Sequence, residues 1–121
     1  MKITLKGKDL QLTDSLYTYT DRKILTPLKK RLENSKGENA VTVDIELLRD
    51  TKHHKKGEVF RAEVNIMIPP KKMLHAEAKG EDIREAIDLL EEAIIRKLEL
   101  YKGKTKLTDR RKARKRKNSG A

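Results

Sequence analysis

The sequence predicts an α+β fold in which four strands and two helices follow in the order β-α-β-β-β-α. Four short segments alternate apolar and polar residues, and two longer segments have apolar residues at helical spacing. The length of 121 residues suits one domain and a tail. Each strand has one apolar face, so we expect a four-stranded sheet with both helices packed on one face.

The first strand and the first helix are predicted from the start of the chain. Residues 2–6 alternate apolar and polar, which indicates a strand. Thr13 has the residue type of a helix N-cap. The apolar residues after Pro27 lie about one residue out of phase with those before it. We therefore predict a kink or bulge near Leu25–Pro27 that holds one extra residue, and a helix end near Asn34.

Three further strands are predicted over residues 40–48, 58–68 and 72–79, where apolar residues alternate with polar ones. The connections 49–57 and 69–71 suit hairpins, so these strands should form an antiparallel meander. The first helix connects strands one and two. A right-handed crossover makes those two strands parallel neighbours.

The second helix has the most regular pattern in the chain. Asp82 is placed as its N-cap, and Glu85 is placed as the capping-box partner three residues later. One apolar stripe then continues at helical spacing from Ile83 to Tyr101. This pattern predicts a long helix with one buried face.

The positive charge of the chain, +11 overall, is concentrated at its end. Residues 1–101 hold 20 Lys and Arg against 18 Asp and Glu, whereas residues 102–121 hold ten against one. Only one large apolar residue, Leu107, lies in that last stretch. We therefore expect a domain over residues 1–104 and a basic arm over residues 105–121 that is disordered or folds on binding.

The sequence lacks the residue patterns of most enzymes and metal sites. Cys is absent, which excludes disulfides and thiolate ligands. The three histidines, His53, His54 and His75, have no metal-ligand spacing to carboxylates, and no Gly-rich phosphate loop occurs. We expect no catalysis, metal, cofactor or small-molecule substrate.

No apolar run approaches the ~18 residues of a membrane helix, so we expect a cytoplasmic protein with no membrane partner.

Nucleic-acid binding fits the composition better than catalysis does. A dense basic segment usually has an anionic partner, and phosphate contacts supply affinity without sequence reading. With one Phe and no Trp, the sheet offers no aromatic platform for bases. We therefore expect RNA contacts on the helices and the arm, at Lys23, Lys29, Lys30, Arg84, Arg96, Lys97, Lys102, Arg110, Arg111, Lys112, Arg114, Lys115, Arg116 and Lys117.

Two stretches resemble the ribosome hibernation-promoting factors, also called ribosome-associated translation inhibitors or protein Y. The more specific one is Leu-His-Ala-Glu-Ala-Lys-Gly-Glu-Asp-Ile at 74–83, followed by Ala-Ile-Asp at 86–88. The other is Leu-Thr-Asp-Ser-Leu at 12–16, the family's Thr-capped helix start. The resemblance covers about residues 1–104 and is to the short form of the family.

The resemblance implies a fold like that of double-stranded-RNA-binding domains and a monomer bound to the small ribosomal subunit and its rRNA. Such a factor occupies the mRNA and tRNA channel and inhibits translation by steric blocking, in the stress response and stationary phase. Matched by position, the family has basic residues at Lys23, Arg96 and Lys102, and at Lys30 if the extra residue near Pro27 is present. The chain departs from relatives at Arg84, where they often have Tyr, and at Ala93 and Leu100, where they often have Lys.

Other functions stay open from the sequence. One is a non-ribosomal RNA-binding module with the same fold and arm. Another is a protein-interaction domain whose arm contacts an acidic partner. The basic arm could also serve only to keep the chain in solution.

Overall fold

The structure, a computed structural model, describes residues 1–32, 41–50 and 59–119, with side chains described as far as Gly103. Its elements are β1 (Lys2–Lys8), α1 (Asp14–Thr20), a π-helical turn (Asp21–Leu25), α2 (Thr26–Leu32), β2 (Thr42–Arg49), β3 (Phe60–Ile68), β4 (Lys72–Gly80) and α3 (Ile83–Ser119). The predicted order is confirmed, with the first helix divided by the π-helical turn. The strand bounds differ from the predicted ones by at most two residues.

The four strands form one sheet in the order β1-β2-β3-β4. As predicted, β1 pairs with β2 in parallel, and β2, β3 and β4 form an antiparallel meander. The turn between β3 and β4 contains a cis peptide bond between Pro69 and Pro70. The register places alternate residues of each strand on one face, which separates an apolar face from a polar one.

The core lies between the apolar face of the sheet and the helices. Leu47 of β2, Leu28 of α2 and Leu90 and Leu98 of α3 are completely buried. They belong to a single cluster to which β3 and β4 also contribute. Both helical segments therefore pack on the same face of the sheet, as predicted, and the other face stays open.

The π-helical turn contains the extra residue that the apolar pattern predicts. The backbone N–H of Thr26 donates to the carbonyl of Asp21, five residues earlier, where an α-helix would use four. The turn ends two residues before Pro27, whose ring crowds the carbonyl four residues earlier in a helix and which has no N–H to donate. With the extra residue, Ile24 and Leu28 are both buried. The predicted position near Leu25–Pro27 therefore lies slightly further along the chain than the observed turn, which ends at Leu25.

Both predicted helix caps are present. Thr13 Oγ1 accepts a hydrogen bond of 3.1 Å from the backbone N–H of Leu16. Asp82 Oδ1 accepts one of 2.8 Å from the backbone N–H of Glu85. Such contacts satisfy donors that have no partner within a helix, and each is worth about 1 kcal/mol.

Some predictions fall outside the described residues. They include the helix end near Asn34, the pair His53 and His54, and the side chains of the arm. Helix α3 is assigned through Ser119, so it includes most of the segment that was expected to be disordered or to fold on binding. The domain boundary at residue 104 stays a prediction. Within the part of the chain that the structure describes, no helix is long and apolar enough to cross a membrane.

We predict that Gly80→Ala destabilises the junction between β4 and α3. A Cβ at Gly80 would lie 2.7 Å from the backbone nitrogen of Ala86 and 3.0 Å from the carbonyl oxygen of Asp82. Backbone atoms cannot relieve such a clash by a change of rotamer, as a flexible side chain can. The free energy of unfolding, measured by urea denaturation, should fall by roughly 1–3 kcal/mol, the usual cost of overpacking.

Gly103→Ala is the matched control, because a Cβ at Gly103 meets no described atom within 4 Å. Its stability should stay constant or rise by up to about 1 kcal/mol, the difference in helix propensity between Gly and Ala. Equal losses in the two variants would contradict the close backbone approach at Gly80.

Candidate nucleic-acid interface

The two helical segments meet along a line of polar contacts, here called the helical seam. Ser15 contacts Arg84 at one end of the seam, and Arg31 contacts Glu99 at the other. The contact positions advance in the same direction along both segments, so the two segments run parallel. The seam consists of Ser15, Tyr19, Lys23 and Arg31 on one side and Arg84, Asp88, Glu99 and Lys102 on the other.

Arg84 is held in place at the end of the helical seam where α1 and α3 begin. Its guanidinium lies over the ring of Tyr19, 4.8 Å from the ring centroid, and donates a hydrogen bond of 3.0 Å to Ser15 Oγ. The positive group is attracted to the negative face of the ring. Because the side chain is already ordered, it loses little conformational entropy when it binds an anion.

Asp88 is the acceptor at the middle of the helical seam. The hydroxyl of Tyr19 donates to Asp88 Oδ1, and Lys23 Nζ lies 3.6 Å from the same oxygen. The hydrogen bond to Asp88 is the main reason that the pKa of Tyr19 is raised above its ordinary value of 10.0, while the positive charge of Arg84 acts in the opposite direction. Tyr19 therefore remains a neutral platform beneath Arg84 at physiological pH.

The other end of the helical seam joins α2 to the middle of α3. Arg31 lies 3.7 Å from Glu99, measured between the guanidinium nitrogen and the carboxylate oxygen. Lys102 Nζ donates to the backbone carbonyl of Arg31, near the end of α2. A cation interacts favourably with the carbonyl groups near the C-terminal end of a helix.

The cations predicted on the helices occupy three different environments. Lys23, Arg84 and Lys102 lie in the helical seam and have partners within the chain. Lys97 lies on the other flank of α3, where Nζ donates to the carbonyl of His75 on β4. Three predicted cations are exposed and form no ion pair with another described residue: Lys29, Lys30 and Arg96. The RNA contacts of all these residues stay a prediction, as do those of the arm.

Arg22 is a cation of this surface that the sequence analysis does not single out. With Arg84 it lines a shallow depression of about 320 Å³, together with Asp14, Ser15, Thr18 and Tyr19. The position of Arg22 seven residues after Ser15 and four after Thr18 is the signal that could have identified it, since such positions share a helix face. The two arginines outnumber the one carboxylate, Asp14, so the lining carries net positive charge, which favours an anion.

The open face of the sheet has mixed charge. Glu46, Glu63 and Glu77 are register partners on three neighbouring strands. Arg61 donates to Glu77 and lies 3.4 Å from Glu63. The hydrogen bond from Arg61, and then its positive charge, lower the pKa of Glu77. Lys6 and Lys79 lie on the same face, so carboxylates and cations alternate there.

The third histidine belongs to this open face. The ligand atoms of Glu63, His75 and Glu77 lie within 4.8 Å of one another, a grouping that their sequence spacing does not reveal. His75 Nδ1 lies 2.7 Å from Asn65 Oδ1 on the neighbouring strand. Because Arg61 contacts both carboxylates, the chain itself provides the cation that balances this group.

With the fold and this surface described, the chain can be compared with known proteins. The family model described as Sigma 54 modulation protein / S30EA ribosomal protein matches residues 3–106. The chain belongs to this family. Membership confirms the family assigned from residues 74–88 and 12–16. The comparison with curated proteins found no match.

Two solved structures are similar to this S30EA family member. The Protein Y N-terminal domain of Thermus thermophilus has 22% sequence identity and a TM-score of 0.59, over 84% of this chain and 99% of that one. A ribosomal subunit interface protein from Coxiella burnetii has 18% identity and a TM-score of 0.61, over 85% and 99%. At these identities the likeness shows a shared fold, and it confirms the fold that the sequence predicts.

We predict that Asp88→Asn lowers the pKa of Tyr19 toward 10.0, because the amide removes the charged acceptor. The raised pKa contributes stability that is complete below pH 10 and is lost as the pH rises through the folded-state pKa. The stability difference between the parent chain and the variant should therefore shrink above pH 10. An NMR titration of the tyrosine ring carbons measures the pKa.

Glu92→Gln provides the control for this titration, since it removes an exposed carboxylate of α3 outside the helical seam. The pKa of Tyr19 should not change in that variant. An unchanged pKa in Asp88→Asn would show that the contact between Tyr19 and Asp88 does not hold in solution.

Proposed function

We propose that this chain binds the small ribosomal subunit through phosphates of the rRNA and keeps ribosomes inactive by blocking the mRNA and tRNA decoding region. The family description names a ribosomal protein, and the two similar structures are named for Protein Y and for a ribosomal subunit interface. The proposal rests on one observation about this family member. Its helices carry exposed cations, Lys30 and Arg96, and an ordered arginine, Arg84. Its place of action would be the cytoplasm, where ribosomes work.

The helical side offers two kinds of phosphate contact. Arg84 is fixed on Tyr19 beside Arg22, which favours one well-defined anion position. Lys30 and Arg96 are exposed and unpaired among the described residues, which favours looser contacts to neighbouring phosphates. Contacts of both kinds give affinity for an RNA surface of the right shape without reading its bases.

The basic arm extends the same positive surface. Residues 102–121 carry ten Lys and Arg, all of which lie in the C-terminal part of α3. We infer that the arm contacts additional phosphates and adds to affinity through the release of counterions.

The proposed inhibition is steric and involves no chemical step. A domain seated in the decoding region excludes mRNA and tRNA from the space that it occupies. One bound copy is enough to silence one ribosome, and a single chain is enough to do so, so we propose that the active form is a monomer.

We predict that the double variant Lys30→Glu/Arg96→Glu binds ribosomes at least about tenfold more weakly, since two phosphate contacts become repulsive. Both residues are exposed, so the stability should stay within roughly ±0.5 kcal/mol. Co-sedimentation with purified ribosomes through a sucrose gradient measures the affinity. The pair avoids Lys23, whose reversal would place a second carboxylate beside Asp88.

The matched control is Lys6→Glu/Lys79→Glu, which makes the same charge change at exposed positions of the open sheet face. This variant should bind ribosomes within about twofold of the parent chain. Equal losses in the two variants would mean that net charge alone governs binding, and the proposal for the helical side would fail.

We predict that deletion of residues 105–121 reduces the salt dependence of ribosome binding. The deletion removes eight cations. With about half of them engaged, the slope of log affinity against log salt should fall by roughly 4 units. Affinities at a series of salt concentrations give the slope, and far-ultraviolet circular dichroism checks the fold. An unchanged slope would indicate that the arm serves only for solubility.

A further inference from the structure

We propose that the outer edge of β4 is a self-association surface, at which a second copy of this chain pairs in antiparallel register about a two-fold axis through Ala76. Lys97 covers this edge in the single chain and moves away when the second copy binds. The inference concerns the free protein. It leaves the proposed single-copy inhibition unchanged, because the helical seam lies on the other flank of α3.

The outer edge of β4 presents backbone groups that no strand pairs within the part of the chain that the structure describes. β4 is the last strand of the sheet. The backbone N–H of Asp50 donates to the carbonyl of Val59, and bonded and non-bonded residue pairs alternate along antiparallel strands. Followed through the register of β3, this alternation directs the N–H and C=O groups of four β4 residues outward: Met73, His75, Glu77 and Lys79. Such an edge is a template for another strand.

Lys97 satisfies one of these outward groups. Its Nζ donates to the carbonyl of His75 from the flank of α3, which agrees with the outward direction of that carbonyl. Lysine side chains at a strand edge hinder pairing with another chain. Because the side chain of Lys97 is exposed, it can return to water when the backbone N–H of a second copy takes its place, which exchanges one hydrogen bond for another.

An apolar strip on α3 runs beside this edge and consists of Leu89, Ala93 and Leu100. These residues lie eight and four positions before Lys97 and three after it, so they share its face of the helix. Leu89 is 41% exposed and Leu100 is 60% exposed. A second copy brings an identical strip against this one, and their contact removes apolar surface from water.

The position of the two-fold axis allows the two α3 helices to approach each other closely. α3 runs back along β4, since Lys97 contacts His75 and the backbone of Ala86 lies beside Gly80. Ala93 precedes Lys97 by four residues, which is about 6 Å along the helix, or about two residues along the strand. Ala93 therefore lies nearly level with the axis. Its small side chain leaves room for the partner helix, and the two leucines of the apolar strip lie on either side.

Charge selects the register of the pairing. With Ala76 on the axis, His75 of each copy lies opposite Glu77 of the other, so two complementary pairs form on the open face. An axis at His75 or at Glu77 would instead place two identical ionisable residues opposite each other. Glu77 contacts Arg61 in its own chain, but its side chain is 45% exposed, and a carboxylate accepts several donors.

The opposite edge of the sheet does not offer the same complementarity. β1 exposes Lys2, Lys6 and Lys8. In an antiparallel pair of β1 strands, an axis at residue 4, 5 or 6 places lysines of the two copies opposite each other, and like charges in that position destabilise a sheet. We therefore assign self-association to β4.

Sedimentation equilibrium of the full chain tests whether Lys97 covers the edge. Lys97→Met keeps an unbranched side chain but cannot donate to the carbonyl of His75, so the dimer Kd should fall at least about tenfold. The control Lys8→Met removes the same charge from an exposed position on β1 and should leave the Kd within about twofold. Equal Kd values for the two variants, or a Lys97→Met chain that stays monomeric at about 1 mM, would overturn the proposal.

A charge exchange tests the register. Glu77→Lys and His75→Glu should each weaken self-association at least about tenfold, because neither leaves a complementary pair in its own dimer. An equimolar mixture should recover association, because each pair across the axis then includes one carboxylate. Backbone amide spectra show whether each variant is folded.

Glu92→Lys is the control for the charge exchange, since it makes the same charge change on α3 outside the apolar strip, and it should associate within about twofold of the parent chain. A mixture that associates no more tightly than its components would overturn the proposal. Single variants that associate as tightly as the parent chain would overturn it as well.

Discussion

Both helical segments pack on the same side of the sheet because only that side is apolar. Val43 of β2, Val64 of β3, Ala76 of β4 and Leu90 of α3 are almost wholly excluded from solvent, and burial of this kind is the main favourable term in folding. The arrangement also divides the polar surface into two unlike halves. The helical side carries the seam and the exposed cations Lys30 and Arg96, whereas the open side of the sheet interleaves carboxylates with Lys6, Arg61 and Lys79. The proposed RNA contacts rest on the helical side.

The π-helical turn connects the core to the helical seam. Without its extra residue, α2 would be rotated by about 100° relative to α1, since each residue of an α-helix turns the chain by that angle. Leu28 would then leave the core, and Arg31 would no longer face Glu99 and Lys102. The same turn therefore keeps the apolar stripe continuous and aligns the polar contacts beside it.

The fold could be predicted because its determinants are local. Alternation within each strand, the caps at Thr13 and Asp82 and the phase change at Pro27 all act over a few residues. The partners of the cations could not be predicted in the same way. Tyr19 and Asp88 are 69 residues apart in the chain, and their contact depends on how the two helices pack. The carboxylate row likewise depends on strand register, so the cations were identified from the sequence but their surroundings were not.

The central claim is that the chain silences ribosomes by occupying them. The most direct measurement is a titration of purified full-length protein into a cell-free translation reaction with a known ribosome concentration. Steric occlusion predicts that protein synthesis falls in proportion to added protein and reaches its minimum near one copy per ribosome. Full inhibition at far lower ratios would indicate a catalytic mechanism, and no inhibition above one copy per ribosome would contradict occlusion altogether.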